Sequence, residues 1–285
     1  MKNKIKLVTD STTSLSHEEC EALGITCLET SYMIDDELHM AFDDEKTSLA
    51  DFYKKLDDIK SCSTGCVNVQ TFEECFDNFA KNGEQVIYIG LSASLSSTFE
   101  NSKVAANTIN EKYGKTMVAV VDGRSACYGT LILLEMANDL IEEGKSLEEI
   151  AQTLDEEAKS MSVAFVCRDL KFLQKCGRIG VIEASVGKIL HIVPIVYVSE
   201  SGKLKTGDKC LGTKKALNTL KTKFARIINE KNHTKCYITS CDMNSDVQEI
   251  KEYIEANTKA IVKTGPIDKT LACCCGPKTL AIFCG

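Results

Sequence analysis

The 285-residue chain contains no tryptophan, three prolines and four histidines. So little proline leaves no Pro-rich linker, and no low-complexity tract or short-period repeat is present. No apolar run approaches the roughly 20 residues that a helix needs to cross a bilayer. The N-terminal stretch MKNKIKLVTD is basic but lacks the apolar core and cleavage site of a signal peptide. A cytoplasmic location is therefore expected. There is no P-loop and no GxSxG elbow, which removes two common routes to phosphate and acyl chemistry. The cysteines lack the paired CxxC spacing of a structural zinc site, so no metal is expected. A general base is also missing. His17 falls in a first helical turn, His39 in an acidic loop and His233 in a polar loop, all positions that favour solvation. His191 follows a helix and suits its C-terminal dipole. Asp43-Asp44 and Asp57-Asp58 read as solvated turns and helix ends rather than metal ligands. No catalytic residue is assigned.

What is present is ordinary in bulk: 44% hydrophobic and 26% charged residues, enough for about two domains with sound cores. The net charge of −7 hides an asymmetry. Residues 1–157 hold 13 Lys and Arg against 30 Asp and Glu, and residues 158–285 hold 21 against 11. The basic half has no Arg-rich block and no interleaved aromatics, which argues against nucleic acid. Complementary faces or an acidic partner fit it better. Fifteen cysteines are many for a reducing compartment, and their number is odd. A disulfide framework is not expected there. Cys20, Cys75, Cys127, Cys167 and Cys236 lie in apolar or amphipathic runs and read as buried small hydrophobes. Cys62, Cys66 and the triplet Cys273-Cys274-Cys275 fall in expected turns.

The positive signal is hydroxyl clustering. Residues 84–101, EQVIYIGLSASLSSTFEN, run from an apolar strand into Ser92, Ser94, Ser96, Ser97 and Thr98, then into a helical pattern with Leu95, Phe99, Ala106 and Ile109 on one face. Strand, hydroxyl turn and helix aim N–H groups and hydroxyls at an anion. Many neutral donors without a base suit holding a carboxylate or phosphate better than attacking one. Residues 4–16 repeat the theme with Asp10, Ser11, Thr12 and Thr13, followed by a capping box at Ser16-His17-Glu18-Glu19. Residues 60–66, KSCSTGC, add Ser61, Ser63 and Thr64 beside Gly65.

Strands are expected at 4–9, 24–34, 85–91 and 117–122, with helices at 16–23, 47–59, 70–81, 95–112, 126–143 and 146–160. This alternation predicts an open, mostly parallel sheet covered by helices. Ligands then sit beyond the carboxyl ends of the strands, where the turns after Val8, Leu91 and Val121 lie. The Asp122-Gly123-Arg124-Ser125 turn joins them. The second half is expected to hold a smaller sheet packed on helices. Its strands are 162–167, 236–241, 260–265 and the closing LAIFCG. A hairpin spans 193–209 with Ser201-Gly202 at its tip. Helices are expected from 169, near 182–190, at 213–230 and at 245–257. The fold class is thus α/β in two domains: a Rossmann-like parallel-sheet domain, 1–158, then a smaller α/β sandwich domain, 159–285.

Six motifs in order carry a resemblance across the chain: TDST (9–12), the Thr64 turn, LSASLSST (91–98), VVDGRSA (120–126), LKFLQKCGRIG (170–180) and CGPKTLAIF (275–283). Together they resemble the DegV family. The resemblance implies a two-domain α/β protein that holds one long-chain fatty acid between its domains. It also implies a non-catalytic carrier like the acyl-binding subunit of bacterial fatty acid kinase. A separate kinase subunit would phosphorylate the bound carboxylate, and transient contact with a membrane surface would be compatible. Thr64 matches the threonine of the family's Thr-Ser-Gln-Pro turn, and Ser96 the serine of its Leu-Ser-Gly-Thr turn. These two are the implied carboxylate ligands. Ser92, Ser94, Thr98, Arg178 and Cys274 are second-rank candidates. Arg178 matches the arginine of a Gly-Gly-Arg-Ile turn, with an implied role at the interface or kinase contact.

The chain departs from the pattern with Gly65-Cys66-Val67 after Thr64, Ser97 for glycine, Gly123 for serine and Cys274 for the histidine of His-x-Gly-Pro. A thiol is a weak donor and cannot supply positive charge. Two rival readings follow: a thiol- or metal-dependent site at Cys62, Cys66 and Cys274, and an interaction module with a filled core.

Overall fold

The structure is a computed structural model that describes residues 5–42, 47–180 and 191–285. The expected helix near 182–190 and the Asp43-Asp44 pair lie outside the described residues.

Four strands form the parallel sheet: β1 (Ile5–Asp10), β2 (Ile25–Leu28), β6 (Gln85–Gly90) and β7 (Val118–Asp122). Their order is β2-β1-β6-β7 with every pair parallel. β6 is nearly all apolar and buried, as a strand covered on both faces must be. Helices α3 (Val69–Lys81) and α4 (Thr98–Tyr113) cover one face through Phe72, Phe76, Ala105 and Ile109. Helices α5 (Tyr128–Glu142) and α6 (Leu147–Ser160) cover the other. The capping box of α1 (His17–Ala22) is present: Ser16 Oγ accepts from Glu19 N at 3.1 Å, and Glu19 accepts from Ser16 N at 2.8 Å.

Two differences from the sequence reading reposition functional residues here. The run 24–34 is two strands. β2 stays in the parallel sheet, while β3 (Ser31–Ile34) enters a small antiparallel sheet of order β4-β3-β5. The bend sits at Thr30, whose N–H donates to Ser11 Oγ at 2.9 Å. The expected turn at 60–66 is strand β5 (Cys62–Gly65), paired to β3 with Thr64 opposite Tyr32. Gly65 is required there, because a Cβ would stand 2.2 Å from Ser31 Oγ. Pairing with β3, which β4 (Glu37–Met40) flanks on its other edge, decides this strand, and Cys-Ser-Thr-Gly carries no strand pattern of its own. Helix α2 (Leu49–Lys55) packs beside it through Phe52 and Tyr53.

Among the described residues the second half holds a six-stranded sheet, wider than the four-stranded parallel one, which corrects the expectation of a smaller sheet. The order is β10-β9-β8-β13-β11-β12. β8 is Ser162–Cys167, β9 Ile192–Val198, β10 Leu204–Leu211, β11 Lys235–Ser240, β12 Ile261–Pro266 and β13 Thr279–Cys284. Only β11 and β12 run parallel. Strand periodicity sorts the side chains. Leu280, Ile282 and Cys284 of β13 pack under α8 (Thr213–Lys231) and α9 (Asn244–Asn257), whereas Ala281 and Phe283 face the first half. A short α7 (Lys171–Lys175) precedes the Gly177-Arg178 turn. The cysteine triplet, expected in a turn, ends helix α10 (Lys269–Cys275), whose N-cap Asp268 accepts from Leu271 N at 2.9 Å. His233, expected in solvent, is buried. Its Nε2 lies 3.1 Å from Ser162 Oγ, and burial with the nearby Lys231 charge lowers it to about 4.

Candidate functional site

A cavity of about 130 Å³ opens between the carboxyl ends of the parallel strands and the inward face of the six-stranded sheet. One water needs about 10–15 Å³, so the space far exceeds a solvent site. Its floor is set by strand alternation: Val163 and Phe165 of β8, Ala281 and Phe283 of β13, and Thr239 of β11 all point the same way. Val198 and Leu204 from the hairpin, with Leu173 and Leu271, extend the apolar wall.

Polar groups collect at one end. Thr64, Ser96, Arg178 and Cys274 line it, and Arg178 is the one charged side chain among the described lining residues. Arg178 Nε donates to Leu95 O at 3.1 Å, Nη1 donates to Cys176 O, and Nη2 reaches Thr64 Oγ1 at 3.5 Å. The backbone thus fixes two sides of the fork and leaves Nη2 loosely engaged beside Thr64. Guanidinium stays charged at any working pH. Ser96 Oγ accepts from Thr98 N at 3.2 Å and lies 3.0 Å from Thr98 Oγ1. With Thr98 as donor, the Ser96 proton is free for a ligand. Thr64 Oγ1 and Cys274 Sγ are 3.7 Å apart. The neighbouring Cys176 thiol and burial push the Cys274 thiol well above its ordinary value.

The remaining hydroxyls fall into distinct roles. Ser92 Oγ donates to Gly202 O at 3.2 Å and Ser94 Oγ to Ser201 O at 2.7 Å, so both grip the tip of the β9–β10 hairpin. Neither lines the cavity, and Thr98 supports Ser96 from behind. The first hydroxyl turn wraps an internal anion. Asp10 accepts from Thr12 N at 3.0 Å, Thr12 Oγ1 at 2.5 Å, Leu91 N at 3.3 Å and Tyr88 Oη at 2.6 Å. That turn organises the strand ends, although Thr12 itself lines the wall. Ser125 also lines it, while Arg124 turns away to Asp155 at 3.0 Å and Glu200 O at 3.2 Å. His191 does not line the cavity. Sequence reasoning missed Leu95, read as helical but placed in the wall by the turn before α4. It also missed Thr239, whose Oγ1 is buried without a hydrogen-bond partner among the described residues. Its two-residue offset from Tyr237 was the available signal. Of the three thiols expected to converge, Cys62 and Cys274 approach the head end. Cys66 is exposed and meets Asn101 Nδ2 at 3.5 Å instead. Among the described residues no group of three or more His, Cys, Asp or Glu has metal-binding geometry.

A family model described as "Uncharacterised protein, DegV family" matches residues 4–284. The chain belongs to the DegV family. A DegV domain-containing protein of Clostridium perfringens, CPE0026, is 30% identical over 251 residues, covering 88% of this chain and 86% of that protein. Among solved structures, a DegV family protein of Thermus thermophilus described for its fatty acid binding is 23% identical. It superposes with a TM-score of 0.86 over 99% of both chains. The Streptococcus pneumoniae fatty acid kinase B3 protein loaded with linoleic acid is 18% identical, with a TM-score of 0.82 over 99% of both chains. At these identities the structures establish a shared fold, the α/β architecture described above.

Proposed function

We propose that this DegV protein binds one long-chain fatty acid, with its carboxylate at Thr64, Ser96 and Arg178 and its tail along the apolar face of the six-stranded sheet. The observation that carries this reading is the meeting of Thr64, Ser96 and the one charged lining residue, Arg178, at one end of a cavity whose sheet-side wall is built largely from apolar side chains. Ligand sites of this kind are mostly apolar with a few placed polar groups. The sequence resemblance put Thr64 and Ser96 first and Arg178 among the possible ligands, and the guanidinium lies at the same end of the cavity beside Thr64. This cation offsets the histidine that Cys274 replaces. The solved DegV neighbours described as carrying fatty acids support the choice of ligand.

The protein acts as a carrier, and a separate kinase subunit phosphorylates the presented carboxylate. A shallow outer groove formed by Ser94, Ser96, Glu100 and Arg178 borders the head end and suits that access. The chain divides into two domains near residue 160, between α6 and β8, and the ligand lies between them. The thiol or metal alternative is less well supported, since Cys66 stands apart from Cys62 and Cys274. Native mass spectrometry of the purified protein tests the reading. A retained long-chain fatty acid, or uptake of added oleate, is expected, and neither being seen would overturn it. Acyl phosphate, trapped as hydroxamate, is expected only when carrier, kinase subunit and ATP are combined.

A further inference from the structure

Four thiols from distant parts of the chain gather behind the head end. Cys62 stands on β5, Cys176 directly follows α7, and Cys273 and Cys274 lie on α10. Cys62 Sγ and Cys176 Sγ each donate to Cys273 O at 3.7 Å. Both thiols thus sit against the last turn of α10, where Cys62 neighbours Cys273 and Cys176 neighbours Cys274. The two pairs differ in access. Cys273 is buried, and neither Cys62 nor Cys273 lines the cavity or the outer groove. Cys274 lines the cavity, while half-buried Cys176 lines the outer groove with Gly177 and Arg178. The Cys176–Cys274 pair therefore spans the wall between solvent and ligand space. The neighbouring Cys274 thiol and the Arg178 charge hold the Cys176 thiol below its ordinary value, and its place on the outer groove makes it the thiol that a solvent-borne reagent meets first. A reachable thiolate touching a second thiol is the arrangement of an oxidisable dithiol.

We propose that Cys176 and Cys274 are a hydroperoxide-sensitive dithiol whose disulfide fastens the Arg178 turn to α10 and closes the outer wall of the cavity. The Cys176 thiolate attacks one peroxide oxygen, and the O–O bond breaks. The departing oxyanion takes up the proton Cys176 had released, leaving Cys176 as a sulfenic acid. The Cys274 sulfur attacks it, the S–O bond breaks, and the Cys274 proton leaves in water. Two thiols and one hydroperoxide thus give one disulfide, one water and one alcohol, or a second water from hydrogen peroxide. The consequence for the ligand rests on the fatty-acid reading: with this wall bonded, an acyl chain has lost its exit beside Arg178.

The test uses the full chain carrying Cys66→Ser, which removes the exposed thiol, reduced and then treated with stoichiometric hydrogen peroxide. Tryptic mapping should find peptide 176–178 joined to 270–278, reversibly with dithiothreitol, and absent in Cys176→Ser and in Cys274→Ser. Hydrogen exchange over 171–180 should slow on oxidation. No link, a link that survives Cys274→Ser, or unchanged exchange would overturn the proposal. Protein loaded with cis-parinaric acid should release it roughly fivefold more slowly once oxidised, as expected when wall opening limits release. Equal release rates would overturn the closure. Should parinaric acid fail to bind the reduced protein, the fatty-acid reading fails, while mapping and exchange still decide the dithiol.

Discussion

Ser96 and Thr64 hold their hydroxyls in different states. Ser96 accepts from the Thr98 N–H and keeps a proton to give, whereas Thr64 sits between Arg178 and Cys274 at long range. A buried carboxylate that loses one donor costs about 1–3 kcal/mol. Ser96→Ala and Thr64→Ala are each expected to weaken fatty acid binding by roughly 5- to 150-fold, read by fluorescent fatty acid titration. Unfolding midpoints should barely move, since neither hydroxyl anchors the core. Unchanged affinity in both would place the carboxylate elsewhere. Asp268 gives a pH prediction. Burial lifts its carboxyl to about 6, against the pull of Leu271 N–H and the Ser14 hydroxyl at 2.7 Å. Between its ordinary value and about 6 the folded state holds more protons than the unfolded, so stability falls as pH rises through that window. Asp268 keeps partial solvent contact, which reduces the effect to about 1–2 kcal/mol from the ~3 that full burial would give. Asp268→Asn keeps an N-cap acceptor and should lack this decline, as urea unfolding at pH 4.5 and 7 would show.

The β9–β10 hairpin turns the serine-rich loop from a set of donors into a joint. Gly202 at its tip has φ +73°, and a Cβ there would stand 2.0 Å from Ser92 Oγ and 3.2 Å from Arg124 Cα. Gly202→Ala meets both the left-handed penalty and the collision, so a loss of about 1–3 kcal/mol is expected in denaturant unfolding. Gly114, also left-handed at φ +63° but with nothing near its Cβ position, is the control. Its alanine variant should lose only the conformational part, about 1 kcal/mol. Helices were legible because their apolar faces repeat at the right period, as in α3 with Phe72, Phe76 and Ala80. β5 was not, since its pairing with β3 is supplied by residues thirty positions away. The end of α10 was not either, because three thiols beside Gly276 resemble a turn until Asp268 is seen to cap the helix.

Across the molecule, filling the cavity should register as stability. A ligand that binds only the folded state adds about 2.7 kcal/mol at one hundred times its Kd. For a chain of this size that is roughly 5–10 °C in Tm. Oleate is expected to raise the melting temperature by that order, and the Arg178→Gln variant to show a smaller rise at the same oleate concentration. A melting temperature indifferent to oleate would argue that the cavity closes without a ligand. The charge asymmetry between the halves is compatible with this packing: among the described residues basic side chains of the second half meet acidic ones of the first at Lys235 and Lys263 to Glu135, 2.8 and 2.9 Å, and at Arg168 to Asp57, 3.9 Å.

Most of the strand and helix order, the parallel first sheet, the capping box at Ser16 and the placing of a cavity beyond the strand ends follow from local pattern, because periodicity and turn chemistry act over a few residues. Thr64 and Ser96 were named from the family resemblance instead, and both line that cavity. Sorting the hydroxyls required the tertiary structure. Ser92, Ser94 and Ser96 share one short stretch, yet the hairpin takes the first two and the cavity takes the third. The meeting of Arg178 with Thr64, and of Cys176 with Cys274, joins residues about one hundred positions apart. Such meetings are decided by how the two sheets stack, a balance of packing over the whole chain that no local window of residues contains.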